Sequence, residues 1–232
     1  MHIRWRPILR LLLRATLAFV LGSVVLVLFF RVVPVFGSMV MLEREVSSWF
    51  SGEPLDIQQQ WRPWDELSDN AKLAVIAAED QRFPEHNGFD LVELKRAVES
   101  ARNGGSLRGA STITQQTAKN LFLWTGRDWV RKGFEAWFAT LMELLWPKER
   151  ILEVYLNIVE FDRGVFGLEA ASQHYFGVGA DQLNAVQAAR LAAVLPNPLE
   201  RSASRPGPRT ANRAAWIQRQ MNNLGLRYLD KL

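Results

Sequence analysis

Glu79 closes the apolar segment Leu73-Ala-Val75-Ile76-Ala-Ala78 and is followed at once by Asp80. In a helix over 69–80, Val75 and Ile76 stand at i−4 and i−3 from Glu79, so its carboxylate lies against apolar side chains at a helix C-terminus. Desolvation and the negative end of the helix dipole both disfavour the charged form, the condition of a carboxylate able to take a proton. A lone Glu at a helix end is more simply a solvated acid. Its company favours a site: Glu79, Asp80, Phe83, His86 and Gly88 bring an acid pair, an aromatic ring, an imidazole and a turn glycine into ten residues.

A second segment runs from the glycine-rich stretch at 104–109 through Ser111, Thr112, Gln115, Gln116, Lys119 and Asn120. A helix starting near Ser111 sets Ser111, Gln115 and Lys119 at i, i+4 and i+8 along one polar stripe that ends in a cation. Backbone N–H groups at a helix start, hydroxyls and a lysine suit phosphate oxygens, whereas the missing GK[ST] excludes a nucleotide P-loop. A solvated helix face is the plainer alternative. The third group is Arg127 with Arg131, Lys132 and Glu135. Their i, i+3 and i, i+4 spacing describes either a surface ion-pair cluster of small value or a cationic clamp for a diphosphate leaving group. On the second reading Glu79 and Glu135 form a carboxylate pair, one in apolar and one in cationic surroundings, a divergence that separates a base from an ionised partner.

The elements that must position these residues read as helices, with no sustained period-2 alternation, so the expected class is mainly α. Ser68 is taken as the cap of a helix to about Asp80, and Asp90 with Glu93 as a capping box for the next, which ends near Asn103. Asp128 opens a long amphipathic helix carrying Val130, Phe134, Trp137, Leu141, Leu144 and Leu145 on its apolar stripe up to Pro147. Further helices are expected to about Val159 and over 167–175, 184–195 and 208–224. Ala15 to Phe30 is uncharged and apolar, and Arg14 and Arg31 can snorkel at its ends, which predicts one transmembrane helix in preference to a cleaved signal peptide. The organisation expected is a basic cytoplasmic segment (1–14), the span (15–35), a membrane-proximal linker or jaw (36–60), one catalytic domain (61–205) and its C-terminal helix (206–232). The formal charge of +4 stems from Arg4, Arg6, Arg10, Arg14 and Arg31; without these, 23 basic residues face 24 acidic ones. Basicity therefore belongs to the N-terminus and gives no nucleic-acid-binding face. With no cysteine, and three histidines outside any HExxH spacing, no dedicated metal-ligand set is expected.

At these segments the chain resembles glycosyltransferase family 51, the peptidoglycan glycosyltransferases, and most of all its monofunctional members. ED-x-x-F-x-x-H-x-G is matched by Glu79, Asp80, Phe83, His86 and Gly88, the G-A-S-T-x-T-Q-Q-x-x-K-N block by Gly109 to Asn120, and R-K-x-x-E by Arg131, Lys132 and Glu135. A fourth block is matched by Lys148, Ile151 to Glu153, Tyr155 to Asn157, Gly164, Gly167 and Tyr175 to Gly177. The resemblance implies a lysozyme-like helical domain with a membrane-facing jaw, held in the cytoplasmic membrane with its N-terminus inside and its catalytic domain periplasmic. It implies Glu79 as general base on the 4-hydroxyl of lipid II, and Glu135 as an assisting carboxylate. Asp80, Phe83, His86, Gly109, Ser111, Thr112, Gln115, Gln116, Lys119, Asn120, Arg127, Arg131 and Lys132 are implied around the substrate. Lipid II and the nascent strand are the expected substrates, membrane lipid the surroundings, and cell-wall synthesis or division proteins the partners. No cofactor is required, although a divalent ion, magnesium or manganese, shared by Glu135 and the substrate diphosphate stays open. Ser68-Asp69-Asn70 spells S-D-N, but S-x-x-K and K-T-G are absent, so strands are expected to be made and not crosslinked. A lysozyme-type hydrolase using Glu79 as an acid, and a non-catalytic assembly scaffold, are the rival readings.

Overall fold

The computed structural model describes residues 5–104, 111–126 and 128–232; the candidates Gly109 and Arg127 lie outside the described residues. Helix α1 (Trp5–Val32) is the one described helix long and apolar enough to cross a membrane. It starts at Trp5, ahead of the expected Ala15, because Arg and Leu between them are good helix formers, and it ends just before Pro34, which disfavours helix in the preceding residue. The stretch expected as linker or jaw contains a second helix, α2 (Met39–Ser51). Ser38 caps it, its hydroxyl accepting from the Met41 amide at 3.2 Å, and Gly52 at φ +70° closes it. Val40 and Met41 turn inward, and a two-pronged ion pair from Arg44 to Glu160 (2.9–3.1 Å) fastens α2 to the domain.

The remaining helices follow the sequence pattern: α3 (Asp69–Glu79), α4 (Leu91–Arg102), α5 (Ile113–Phe122), α6 (Trp129–Leu145), α7 (Lys148–Ile158), α8 (Leu168–Phe176), α9 (Ala185–Val194) and α10 (Pro208–Leu224). Two caps differ from expectation. Ser68 precedes α3, but its hydroxyl donates to Leu183 O at 2.8 Å, a tie to the segment before α9, so it does not cap the helix. Asp90 accepts from the Val92 and Glu93 amides as expected, whereas Glu93 pairs with Arg96 and closes no box. A three-stranded sheet escaped the period-2 search because its strands are so short: β1 (Gln58–Gln59), β2 (Glu160–Asp162) and β3 (Val165–Phe166), in the order β1-β3-β2. Gly164 and Gly167 make its tight approach feasible. Both have φ near +80°, and a Cβ would fall 2.7 Å from Asp56 O at the first and 2.6 Å from Asn157 O at the second.

The core is centred on α7, buried without interruption from Ile151 to Ile158, with α5 and α6 packed to one side. On the other, α3, α9 and α10 pack together, the alanines of α3 and α9 permitting close approach. The face α6 turns to this core keeps only part of the apolar stripe anticipated, with Leu141 buried and Leu145 packed against it. Val130 and Leu144 are exposed, Phe134 and Trp137 meet α1, and the inward positions include Arg131 and Glu135, 9% and 3% exposed. A surface ion-pair cluster is thereby ruled out at these two residues.

Candidate active site

Glu79 ends α3, and Asp80 leaves the helix at φ −159°, ψ 77°. That change of backbone sends two adjacent carboxylates to different places. The Asp80 carboxylate turns inward, accepting from the Ile113 amide at 3.0 Å and facing His86 Nε2 at 2.9 and 3.1 Å. It thus meets an orphan N–H at the start of α5, where a negative charge is favoured. Thr112, not Ser111, is the α5 cap: its hydroxyl accepts from the Gln115 amide, and Gln115 returns a bond to the Thr112 amide. The Thr112 hydroxyl also donates to Gly88 O at 2.7 Å, and Lys148 donates to His86 O at 2.6 Å while standing over the Phe83 ring at 4.5 Å. Asp80, Phe83, His86, Thr112 and Gln115, expected around the substrate, are therefore buried parts of the joint between the 80–90 loop and α5. Ser111 is exposed and precedes the helix, so the stripe Ser111–Gln115–Lys119 does not form.

On the other side of α3, Gln116 Nε2 donates to Glu79 Oε2 at 3.0 Å, and the Tyr155 hydroxyl donates to Gln116 Oε1 at 3.0 Å. Burial pushes the Glu79 carboxyl above the ordinary Glu range; the Gln116 bond and the fields of Arg213 and Arg201 oppose the rise, and Asp80 adds to it. Tyr155 is fully buried, which with the nearby Glu79 and Asp80 charges keeps its phenol protonated far above the usual range. Lys119, one turn beyond Gln116 and beside buried Asn120, is held below the ordinary lysine value first by burial. Glu135 and Glu79 pull it back up, and Arg131 and Lys132 add to the fall. Lys119 thus lies in the fields of both carboxylates. On α6, Arg131 donates to Glu135 Oε2 at 2.7 Å and Lys132 to Glu135 Oε1. One carboxylate among three cations leaves net positive charge at this group, suited to an anion.

The same geometry tests the divalent ion. Both Glu135 oxygens are engaged by cations, so this side chain is a poor ligand for a further positive charge, and no step is routed through a metal there. Among the described residues, Asp80, His86 and Asp90 do gather three potential ligand atoms within 4.8 Å, a grouping the histidine spacing did not predict. Asp80 Oδ2 and Asp90 Oδ1 already accept backbone N–H bonds. The groove lined by Trp64, Asp69, Glu149, Arg227 and Asp230 holds none of the candidate residues.

Two contributors were missed from sequence. Arg213 on α10 donates to Ala78 O at 2.7 Å, 135 positions away, and no local pattern signals such a contact. Tyr155 did leave a signal, since a Tyr within the apolar run Ile151–Ile158 must bury its hydroxyl and find it a partner.

The transglycosylase family model matches residues 47–222. The biosynthetic peptidoglycan transglycosylase of Chromohalobacter salexigens is 72% identical over 225 residues, covering 97% of this chain and 96% of that protein. Proteins of the same name are 59% identical in Pseudomonas fluorescens Pf0-1 (95% and 92% covered) and 58% in Pseudomonas putida F1 (94% and 92%). The lysozyme-like, mainly helical domain and its glycosyl-transferring chemistry follow from that match: the chain belongs to the transglycosylase family.

Proposed function

We propose that this transglycosylase polymerises peptidoglycan glycan strands from lipid II at the outer face of the cytoplasmic membrane. Glu79, ionised, takes the proton from the 4-hydroxyl of the incoming lipid II sugar. That oxygen bonds to C1 of the growing strand's terminal sugar as the C1–O bond to the diphosphate breaks, and undecaprenyl diphosphate departs with inversion. Lys119, Arg131 and Lys132, with Arg127, receive the departing charge, and Glu135 holds Arg131 and Lys132 in place. The observation that carries the reading is the pairing of a half-buried, raised Glu79 carboxyl with a Lys119 that feels both Glu79 and the Arg131–Lys132–Glu135 group. A hydrolase of finished glycan releases no diphosphate and has no use for such a cluster.

The remaining parts follow the same logic. The arginines before the apolar run place the N-terminus in the cytoplasm by the positive-inside rule, and the domain after α1 on the opposite, periplasmic side. With no S-x-x-K or K-T-G in the sequence, the chain makes strands and adds no crosslinks. Purified full-length protein in detergent is expected to convert lipid II into long strands, and Glu79→Gln to fold but lose about 10²- to 10⁴-fold in rate. Products resolved by length decide it. If the wild type builds no strands and instead shortens sacculus glycan, the hydrolase reading replaces this one.

A further inference from the structure

Gln116 has two ends and both are taken. Its Nε2 donates to Glu79 Oε2 at 3.0 Å and its Oε1 accepts from Tyr155 at 3.0 Å, so one amide bridges the candidate base on α3 and a phenol in the middle of α7. An amide free to flip would turn Oε1 toward the carboxylate and repel its charged form. What prevents the flip is at the far end: Tyr155 lies with no exposed surface inside the best-packed helix of the domain, and its hydroxyl has Gln116 as its one hydrogen-bond partner among the described residues. We propose that Tyr155 is a positioning residue for the base, locking the Gln116 amide so that its N–H faces Glu79 Oε2 and the other oxygen, Oε1, receives the proton from the acceptor hydroxyl. This role rests on the assignment of Glu79 as base.

The chemistry favours this direction of bonding. A buried phenol that stays protonated is a reliable donor, so Oε1 is spoken for whatever the solvent pH. The N–H then directed at Glu79 stabilises the carboxylate against the burial that disfavours it. Other groups act on Glu79 from every side: Asp80 next to it, Lys119 on α5, Arg213 on α10 and Arg201 in the segment before α10. None of them is changed by removing the Tyr155 hydroxyl, so that atom isolates the amide's contribution.

The test is the pH–rate profile of lipid II polymerisation by the full-length protein in detergent. Tyr155→Phe is expected to move the acid limb of kcat upward by about half to one pH unit. A full unit corresponds to a fall of about 10-fold on the acid side. KM is expected to stay within about twofold, since a positioning role acts on the base and not on substrate binding. Gln116→Met, which removes the amide at nearly constant size, is expected to give the same displacement, and the double variant no further one. Should Tyr155→Phe fail to fold, Tyr155→Met, which also lacks the hydroxyl, carries the same expectation, with the Gln116→Met limb as the reference displacement. A Tyr155→Phe profile superimposed on wild type, or displacements that add in the double variant, overturns the positioning role while leaving the base assignment intact. Full activity in Glu79→Gln overturns both.

Discussion

With Glu79 as the proposed base, the requirements of catalysis and of stability oppose each other at this residue. Burial raises its pKa in the folded chain, so the fold binds this proton more tightly than the unfolded chain does. The linkage sign follows. Stability associated with this group is fully present below the unfolded pKa and is lost as pH rises through the higher folded value. Glu79→Gln is therefore expected to melt higher than wild type at neutral pH, with the difference shrinking as the pH is lowered toward the ordinary Glu range. Thermal melts of the two proteins from pH 4 to 8 check this, and an equal or lower melting temperature for the variant at pH 7–8 would contradict it. At Lys119 the pH dependence runs the other way, since burial lowers its pKa and disfavours its charged form in the folded chain. A cation that sheds part of its hydration beforehand interacts more strongly with an incoming diphosphate.

Among the elements, the most consequential joint is the one that sets the start of α5 against the end of α3. Asp80 holds it through His86 and the Ile113 amide, with Thr112 to Gly88 and Lys148 to His86 alongside. Gln116 and Lys119 are carried by α5, so their distance from Glu79 is fixed by bonds in which neither takes part. Asp80→Ala leaves a buried imidazole and a buried amide without partners, a loss of about 3 kcal/mol. In a domain of this size that lowers the melting temperature by about 6–12 °C. Calorimetry in detergent measures it, and a shift under about 2 °C would show that the joint is held elsewhere. The motif residues around the acid pair thus hold the joint between the end of α3 and the start of α5.

Across the whole molecule, α1 and the domain are one packed unit. Phe19 meets Phe134 edge-on at 5.5 Å, Trp137 Nε1 donates to Ser23 Oγ at 3.1 Å, and Trp146 Nε1 donates to Val27 O at 2.8 Å. Arg150 donates to Phe30 O (3.1 and 2.8 Å) and Val33 O (2.6 Å), satisfying carbonyls that the end of α1 leaves free and complementing its dipole. At about 1.5 Å per residue α1 is about 42 Å long, more than the about 30 Å of a bilayer's hydrocarbon, and its contacts with the domain fall in its second half, from Phe19 on. Removing residues 1–35 uncovers Trp137, Trp146 and the Arg150 guanidinium. The truncated domain is expected to melt lower than the full chain and to aggregate without detergent, as light scattering will show. A monodisperse, equally stable fragment would mean that the docking adds nothing.

The sequence by itself determined the helical class, the long apolar N-terminal helix and most helix positions, because 3.6-residue periodicity, apolar runs, caps and Gly/Pro breaks are local signals. It also singled out Glu79, Lys119 and the Arg131–Glu135 group as candidates, since they stand out by type and spacing. Only the tertiary structure decided which of these face one another. The rotation of α6 that buries Arg131 and Glu135 is set by the competing claims of α1 and α5 on its faces. The inward turn of Asp80 comes from an orphan amide 33 positions away, and the contacts of Arg213 and Tyr155 with the Glu79 region span 135 and 39 positions. The short strands and the helix over 39–51 were missed for related reasons: two or three residues carry no measurable alternation, and an apolar stretch beside a membrane span reads equally as surface-bound chain until its docking onto Glu160 is seen.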